Sequence, residues 1–329
     1  MNQLSLGRFR ALQTASTVGG LFTILAVDHR DAMRVMINEA QPDTVSAAHL
    51  TDIKLSVIRA IAPLATAVLL DPVYSAGQSI AQHALPGHVG FISAIEAQGY
   101  LGDPYSRQTM MLPDWGIAQA KRLGAAGVKV LLFYHPHAGE ATERQEALVA
   151  DLLVECARHD IPLFLEPIVY PLDPAMAKDS AVFAQERRRI VVETARRLGK
   201  LRPDILKLQF PVDCRYESDE SVWQDACAEL NEATPVPWAL LSGGDPFETF
   251  QKQLRVACQK GCSGFLVGRA LWREVVEMQG AAREAFLQGE ATRRWQSLCA
   301  IVEEYGRSWH TCYQTEQVDD HWYATYQAY

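Results

Sequence analysis

The sequence predicts an α/β fold, a single (β/α)8 TIM barrel, and three observations predict it. Eight short apolar runs rich in branched residues recur along the 329 residues. The stretches between them carry helical spacing, the pattern of parallel strands joined by crossover helices. No domain-scale linker or low-complexity tract interrupts the alternation, so one domain is expected over 1–329, with the barrel at about 20–305 and a tail at 306–329.

The strands are expected at 23–28 (Thr-Ile-Leu-Ala-Val-Asp), 67–71 (Ala-Val-Leu-Leu-Asp), 89–95, 128–134 (Val-Lys-Val-Leu-Leu-Phe-Tyr), 163–168 (Leu-Phe-Leu-Glu-Pro-Ile), 205–210, 238–242 and 264–268. Between the first two, Leu50, Ile53, Val57 and Ile61 recur at the spacing of a helix packed on a sheet, and Pro63 ends it. Between the last two, Asp245 reads as an N-cap, Pro246 as the first helical residue and Gly261 as the stop, with Phe247, Phe250, Leu254 and Ala257 on one face. The connections after the third and fifth strands, Glu96 to about Pro113 and Val169 to about Ala181, are long and follow strand C-termini, where barrel enzymes build their sites. They are candidate walls or lids. After Gly306 come Trp309, Tyr313, Trp322, Tyr323, Tyr326 and Tyr329, which read as a docked tail or a subunit contact, and a homo-oligomer is expected.

The formal net charge of -8 disfavours a nucleic-acid partner, since binding by counterion release needs clustered Lys and Arg. The basic runs at 186–189 and 196–197 alternate with acids and read as a solvated helix face. Seven cysteines lack metal-ligand spacing and read as free thiols of a reducing cytoplasm; no leader or membrane span is evident.

A strand buried on both faces admits few charges, because an unpaired ion in a dry core costs several kcal/mol. Five residues break that rule: Asp28, Asp71, Lys129, Glu166 and Lys207, one on each of five strands. If all point inward they form three acids around two lysines. That composition suits imine chemistry, in which a desolvated lysine is the nucleophile and a carboxylic acid moves protons. A set of structural ion pairs is the other reading. A second group lies on the last two strands: Ser242-Gly243-Gly244 before a helix, and Gly268-Arg269, a combination suited to holding a phosphate.

At this point the chain resembles a known family, the class I tagatose-1,6-bisphosphate aldolases of the DeoC/LacD superfamily, and is also similar to the sulfofructosephosphate aldolases. The resemblance runs from about residue 20 to 305 and rests on Leu25-Ala-Val-Asp-His-Arg30, Val68-Leu-Leu-Asp-Pro-Val-Tyr74, Val128-Lys-Val-Leu-Leu-Phe-Tyr134, Phe164-Leu-Glu-Pro167, Ile205-Leu-Lys-Leu-Gln-Phe-Pro211, Leu241-Ser-Gly-Gly244 and Gly264-Phe-Leu-Val-Gly-Arg-Ala270. It implies Lys207 as the Schiff-base lysine, Glu166 as proton shuttle, Asp28 as the group that orients or deprotonates a substrate hydroxyl, and Lys129 as a residue that tunes the site. Ser242, Gly243, Gly268 and Arg269 would bind the phosphate beside the ketone, and His29 and Arg30 would also contact the substrate, His29 toward its far end. The implied partner is a small-molecule sugar phosphate, with no cofactor and no metal.

Two departures stand out: His29 follows Asp28 where the family commonly has Gln, and His135-Pro136-His137 replaces an acidic turn. The implied substrate is tagatose 1,6-bisphosphate, with sulfofructose phosphate as the alternative. Two further alternatives are a metal-dependent enzyme using His29, His135 and His137, and a sugar-phosphate-binding regulator without catalysis.

Overall fold

Strands that run parallel need a crossover between them, and here eight strands close in chain order with helices as the crossovers. The computed structural model describes residues 2–326, with ten strands numbered in chain order. These are β1 (Asn2–Leu4), β2 (Phe22–Ala26), β3 (Ala67–Leu70), β4 (Gly90–Ala94), β5 (Gly127–Phe133), β6 (Leu163–Ile168), β7 (Ile205–Leu208), β8 (Trp238–Leu241), β9 (Gly264–Val267) and β10 (Tyr313–Thr315). The barrel is β2 to β9, closed where Phe22 pairs with Gly264 and Leu25 with Val267. Several expected strand ranges overrun the observed ends by one or two residues, to Asp28, Asp71, Phe210, Ser242 and Gly268 among others, because the ladders stop where the loops at the C-terminal face begin.

Side chains alternate between two apolar regions, as a period of two requires. Val68 and Leu70, Val128, Val130 and Leu132, and Leu206 and Leu208 face the helices and join the larger core. Ile24 and Ala26, Ala67 and Leu69, Ile92 and Ala94, Phe164, Ile205, Ala239 and Leu266 fill the barrel interior. The helix over Ala47–Ile61 buries Leu50, Ile53, Val57 and Ile61, and the Ser46 hydroxyl caps it by accepting from the His49 amide at 3.2 Å. The helix before β9 begins at Phe247, one residue later than expected. Pro246 is extended at its N-cap, while the Asp245 carboxylate accepts from the Gln253 side chain at 2.8 Å rather than capping.

The interior cluster is completed by residues from both chain ends. Leu4 and Leu12 from the N-terminal strand and helix, with Trp309 and Tyr313 from the tail, join it at the start of the strands. Tyr313 donates from its hydroxyl to the Asp204 carbonyl at 2.8 Å, just ahead of β7, and Arg8 pairs with the buried Asp204 carboxylate. Parallel pairing of β1 with β10 ties the two ends together. The aromatic tail is thus docked at Trp309 and Tyr313, whereas Trp322, Tyr323 and Tyr326 are surface residues; Tyr329 lies outside the described residues.

Trp309 is fully buried, stacks edge-on with Phe9 at 4.8 Å and donates from its indole to the Ser16 hydroxyl at 2.9 Å. Trp309→Ala is expected to cost about 3–5 kcal/mol of stability. The measurement is the urea midpoint, and an unmoved midpoint would show that the tail does not seal the barrel.

Candidate active site

Strand register sets the depth of each charged group. Lys129 on β5 pairs with Ala94 on β4 and Phe164 on β6, while Glu166 pairs with Leu131, so Glu166 lies two residues nearer the strand C-termini than Lys129. Glu96, two residues past Ala94, reaches the same upper level. The long Lys129 side chain rises from below into a ring of acids, its amine 2.8 Å from Asp28 Oδ2, 2.7 Å from Glu96 Oε1 and 2.9 Å from Glu166 Oε2. Leu165 pairs with Leu206, which makes Glu166 and Lys207 lateral neighbours, and Glu166 Oε1 sits 2.8 Å from the Lys207 amine. Glu166 therefore bridges two lysines, one oxygen to each.

Burial alone would push the Lys129 ammonium down, but Asp28, Glu166 and Glu96 together hold its proton affinity well above the usual value. It is a fixed cation. Burial alone would likewise raise Asp28, yet Lys129 and Lys207 hold this carboxyl well below its ordinary range. A carboxylate in that state accepts hydrogen bonds well and takes protons poorly.

Four of the five strand charges meet as expected, and one does not. Asp71 faces away from the mouth and pairs with the fully buried Lys54, whose amine also donates to the Val27 carbonyl at 2.8 Å. The cause is local: β3 stops at Leu70, and Asp71 Oδ1 accepts from the Val73 and Tyr74 amides at 3.0 and 2.7 Å, a turn that swings the side chain outward. Its position in the acid ring is taken by Glu96, which the sequence reading passed over because it lies just beyond the expected strand. Being the first charge after that strand was a usable signal. Arg30 is buried and donates to the Glu96 carbonyl at 2.7 Å, with its guanidinium 4.0 Å from Glu96 Oε1.

These groups line a cavity of about 240 Å³ that also reaches Ser242, Gly243, Gly268 and Arg269. Gly243 and Gly244 turn with φ of +59° and +95°, and a Cβ on Gly244 would come within 3.0 Å of the Arg269 guanidinium. Arg269 donates to the Gly243 carbonyl at 3.1 Å, and Arg273 donates to that of Gly244. Burial and the adjacent Arg273 both press on the Arg269 charge, which an arriving anion would relieve. The Ser242 hydroxyl accepts from the Gly268 amide at 3.4 Å, linking the two halves of the cradle.

His29 stands over Gly268, where a Cβ would approach its Cε1 to 2.7 Å, and lies edge-on to Trp272 at 5.2 Å. Burial, with Arg269 and Lys207 assisting and Asp28 opposing, pushes its imidazole down to about 3, so it is neutral at physiological pH. His135 and His137 pair with each other on the β5 loop, the His137 amide donating to His135 Nδ1 at 3.1 Å, and neither lines the cavity. The three imidazoles of the metal alternative are therefore not assembled, and no group of three or more His, Cys, Asp or Glu among the described residues is arranged to hold a metal ion. Gln98, Gln209 and Lys178 also line the cavity. Gln209 follows Lys207 by two and so shares its inward face; Lys178 lies in the loop after β6, where nothing in the local pattern marked it.

A reactive-amine candidate paired with a carboxylate at the mouth of a closed barrel, next to an anion cradle, suits a carbon–carbon lyase of the class I aldolase kind. Sequence comparison agrees. Residues 22–274 match the DeoC/LacD family aldolases, and the chain belongs to that family. It is 30% identical over 334 residues to the tagatose 1,6-diphosphate aldolase of Listeria monocytogenes, covering 95% of this chain and 96% of the relative. Tagatose 1,6-diphosphate aldolase 2 of Enterococcus faecalis is 29% identical over 335 residues, covering 96% and 100%. Among solved structures, a Schiff-base-forming fructose-1,6-bisphosphate aldolase superposes with a TM-score of 0.58 at 18% identity over 90% of this chain and 99% of its own. The fructose-bisphosphate aldolase of Plasmodium falciparum gives 0.66 at 15% over 93% and 98%. These two share the fold. Membership of an enzyme family removes the motive for reading the chain as a non-catalytic regulator.

Lys129→Met would leave three buried carboxylates facing one another, and about 3–5 kcal/mol of stability is expected to be lost at neutral pH. Asp28 is held below its ordinary 3.8, so its contribution is complete above that value and disappears as pH falls through the lower folded value. The gap between wild type and Lys129→Met in urea melts should therefore be widest at neutral pH and narrow on acidification, as the variant's carboxylates take up protons that wild-type Asp28 refuses. A gap that stays constant on acidification would mean that Lys129 acts through packing alone.

Proposed function

We propose that the enzyme cleaves tagatose 1,6-bisphosphate, reversibly, to dihydroxyacetone phosphate and glyceraldehyde 3-phosphate through an imine on Lys207. The observation that carries this reading is the 2.8 Å pair between the Lys207 amine and Glu166 Oε1 at the floor of the cavity. The names of the relatives support the choice of substrate.

In the proposed cycle the neutral Lys207 amine adds to the C2 carbonyl. Glu166 delivers a proton to the resulting hydroxyl, which leaves as water, and a cationic imine remains. Glu166, now a carboxylate, takes the C4 hydroxyl proton as the C3–C4 bond breaks: the C4 fragment departs as the aldehyde, and the bonding pair passes into the imine to give an enamine. Return of that proton from Glu166 to C3 regenerates the imine, and addition of water, with Glu166 taking its proton, releases dihydroxyacetone phosphate and free Lys207. Asp28 orients the C4 hydroxyl as an acceptor, consistent with its strongly held negative charge. Lys129 stays cationic and keeps Asp28 and Glu166 in position. Ser242, Gly243, Gly268 and Arg269 hold the phosphate on C1, with backbone amides and one guanidinium suited to its oxygens. Arg30 and Gln98 are assigned to the far end, while His29, over Gly268, and Lys178, which also borders Gly243 and Gly244, stand on the cradle side; the neutral imidazole of His29 is suited to a hydroxyl rather than a charged group.

Lys207→Met is expected to lose all turnover, and borohydride with substrate should label wild type at Lys207 but leave this variant unlabelled. Glu166→Gln should lower kcat by about 10²–10⁴-fold while keeping the amine in place. The substrate panel is tagatose 1,6-bisphosphate, fructose 1,6-bisphosphate and sulfofructose phosphate. Selective trapping with the last would replace the proposed substrate, and a labelled Lys207→Met would end the mechanism.

A further inference from the structure

The acid ring around Lys129 contains one member to which the cycle above gives no task. Glu96 lies just past β4, in the loop that pairs back on itself at Glu96 with Met111 and at Leu101 with Gln108. Its carboxylate is buried, one oxygen is 2.7 Å from the Lys129 amine, and the other, Oε2, is buried without a hydrogen-bond partner. Its charge is therefore directed at Lys129, with the Arg30 guanidinium further off at 4.0 Å.

We infer that Glu96 is a positioning residue for the aldol chemistry: by sharing the charge of Lys129 it leaves Glu166 free to exchange a proton with Lys207. The argument rests on the bridging geometry of Glu166. One of its oxygens meets Lys129 at 2.9 Å and the other meets Lys207 at 2.8 Å, so whatever tightens the first contact makes Glu166 a poorer proton carrier for the second. Lys129 divides its attraction among Asp28, Glu96 and Glu166. Without the Glu96 charge, that attraction falls on Asp28 and Glu166 alone.

The groups facing this pair are known from every side. Asp28, His29 and Arg30 come from the end of β2, Lys129 from β5, Glu166 from β6, Lys207 and Gln209 from β7, with Lys178 and Arg269 at the rim. Neutralising Glu96 makes this set more positive by one charge. An ammonium at Lys207 is then less favoured and a proton on Glu166 harder to keep. Two effects follow with opposite consequences: the amine is free at lower pH, while water loss from the carbinolamine slows.

The inference rests on Lys207 as imine former, so borohydride trapping of wild type with tagatose 1,6-bisphosphate comes first. Absence of a Lys207 adduct there overturns both readings. With trapping established, the pH profile of kcat/KM is recorded for wild type, Glu96→Asp and Glu96→Gln, along with kcat at the optimum. Expected for Glu96→Gln is an acid limb displaced to lower pH by about one unit and a kcat lower by about tenfold. Glu96→Asp keeps the charge at a greater distance, and its limb should fall between the other two. That intermediate displacement is the deciding result if Glu96→Gln does not fold. Variants that form the Lys207 adduct with an acid limb at the wild-type position, whether or not activity falls, would assign Glu96 a packing role and overturn the inference while leaving the Lys207 mechanism intact.

Discussion

The Lys129 ammonium, enclosed by three carboxylates inside a closed barrel, is the interaction on which the rest of the site depends. An ammonium cannot remain bare at that depth, and three buried carboxylates cannot remain together without it. Asp28, Glu96 and Glu166 bring three negative charges, and Lys129 and Arg30 supply two fixed positive ones. Glu166 is shared between the two lysines: its other oxygen lies 2.8 Å from the Lys207 amine, which joins the ring directly to the proposed imine former.

Barrel architecture makes this balance possible by separating an apolar floor from a charged upper layer. Phe164, Ile205, Ala239 and Leu266 fill the interior beneath, and Leu12, Trp309 and Tyr313 close it from the strand N-termini. With that buried apolar layer beneath them, the ion pairs above act in a medium less polar than water and are correspondingly strong. The two-residue stagger between Lys129 and Glu166 matters for the same reason. A lysine rooted in the lower layer must extend upward, and its amine arrives at the centre of the ring rather than at one wall.

The outer layer contributes as well. Lys54, on the helix over Ala47–Ile61, joins Asp71 to the Val27 carbonyl and so braces the segment that carries Asp28. The loop after β4 is held against the ends of β5 and β6 by Arg107, whose guanidinium lies 4.7, 5.7 and 5.0 Å from the ring centres of Tyr100, Phe133 and Tyr170. Glu96 and Gln98 belong to that loop, which links a surface clasp to the orientation of an active-site carboxylate.

Much of this could be read from the order of residues alone. Eight apolar runs with helical stretches between them determine the barrel, because period-two burial on both faces is a local property of each run. Lys207, Glu166, Lys129 and Asp28 stood out because a charge in such a run must have a reason. Asp71 carried the same signal and went elsewhere, since its direction was decided by the end of a strand, a turn and a lysine on a packed helix. Glu96 carried a weaker signal and joined the ring, since its position depends on a loop folding back. Aromatic density marked Trp309 and Tyr313 as a docked tail or a subunit contact but not where they dock, since their seal with residues 2–14 is a contact between segments some three hundred positions apart. Local pattern thus determined the strands, their order and which charges were anomalous. Only closure of the barrel decided which of those charges meet, because distances between side chains on different strands come from register and curvature and are not encoded in any one segment.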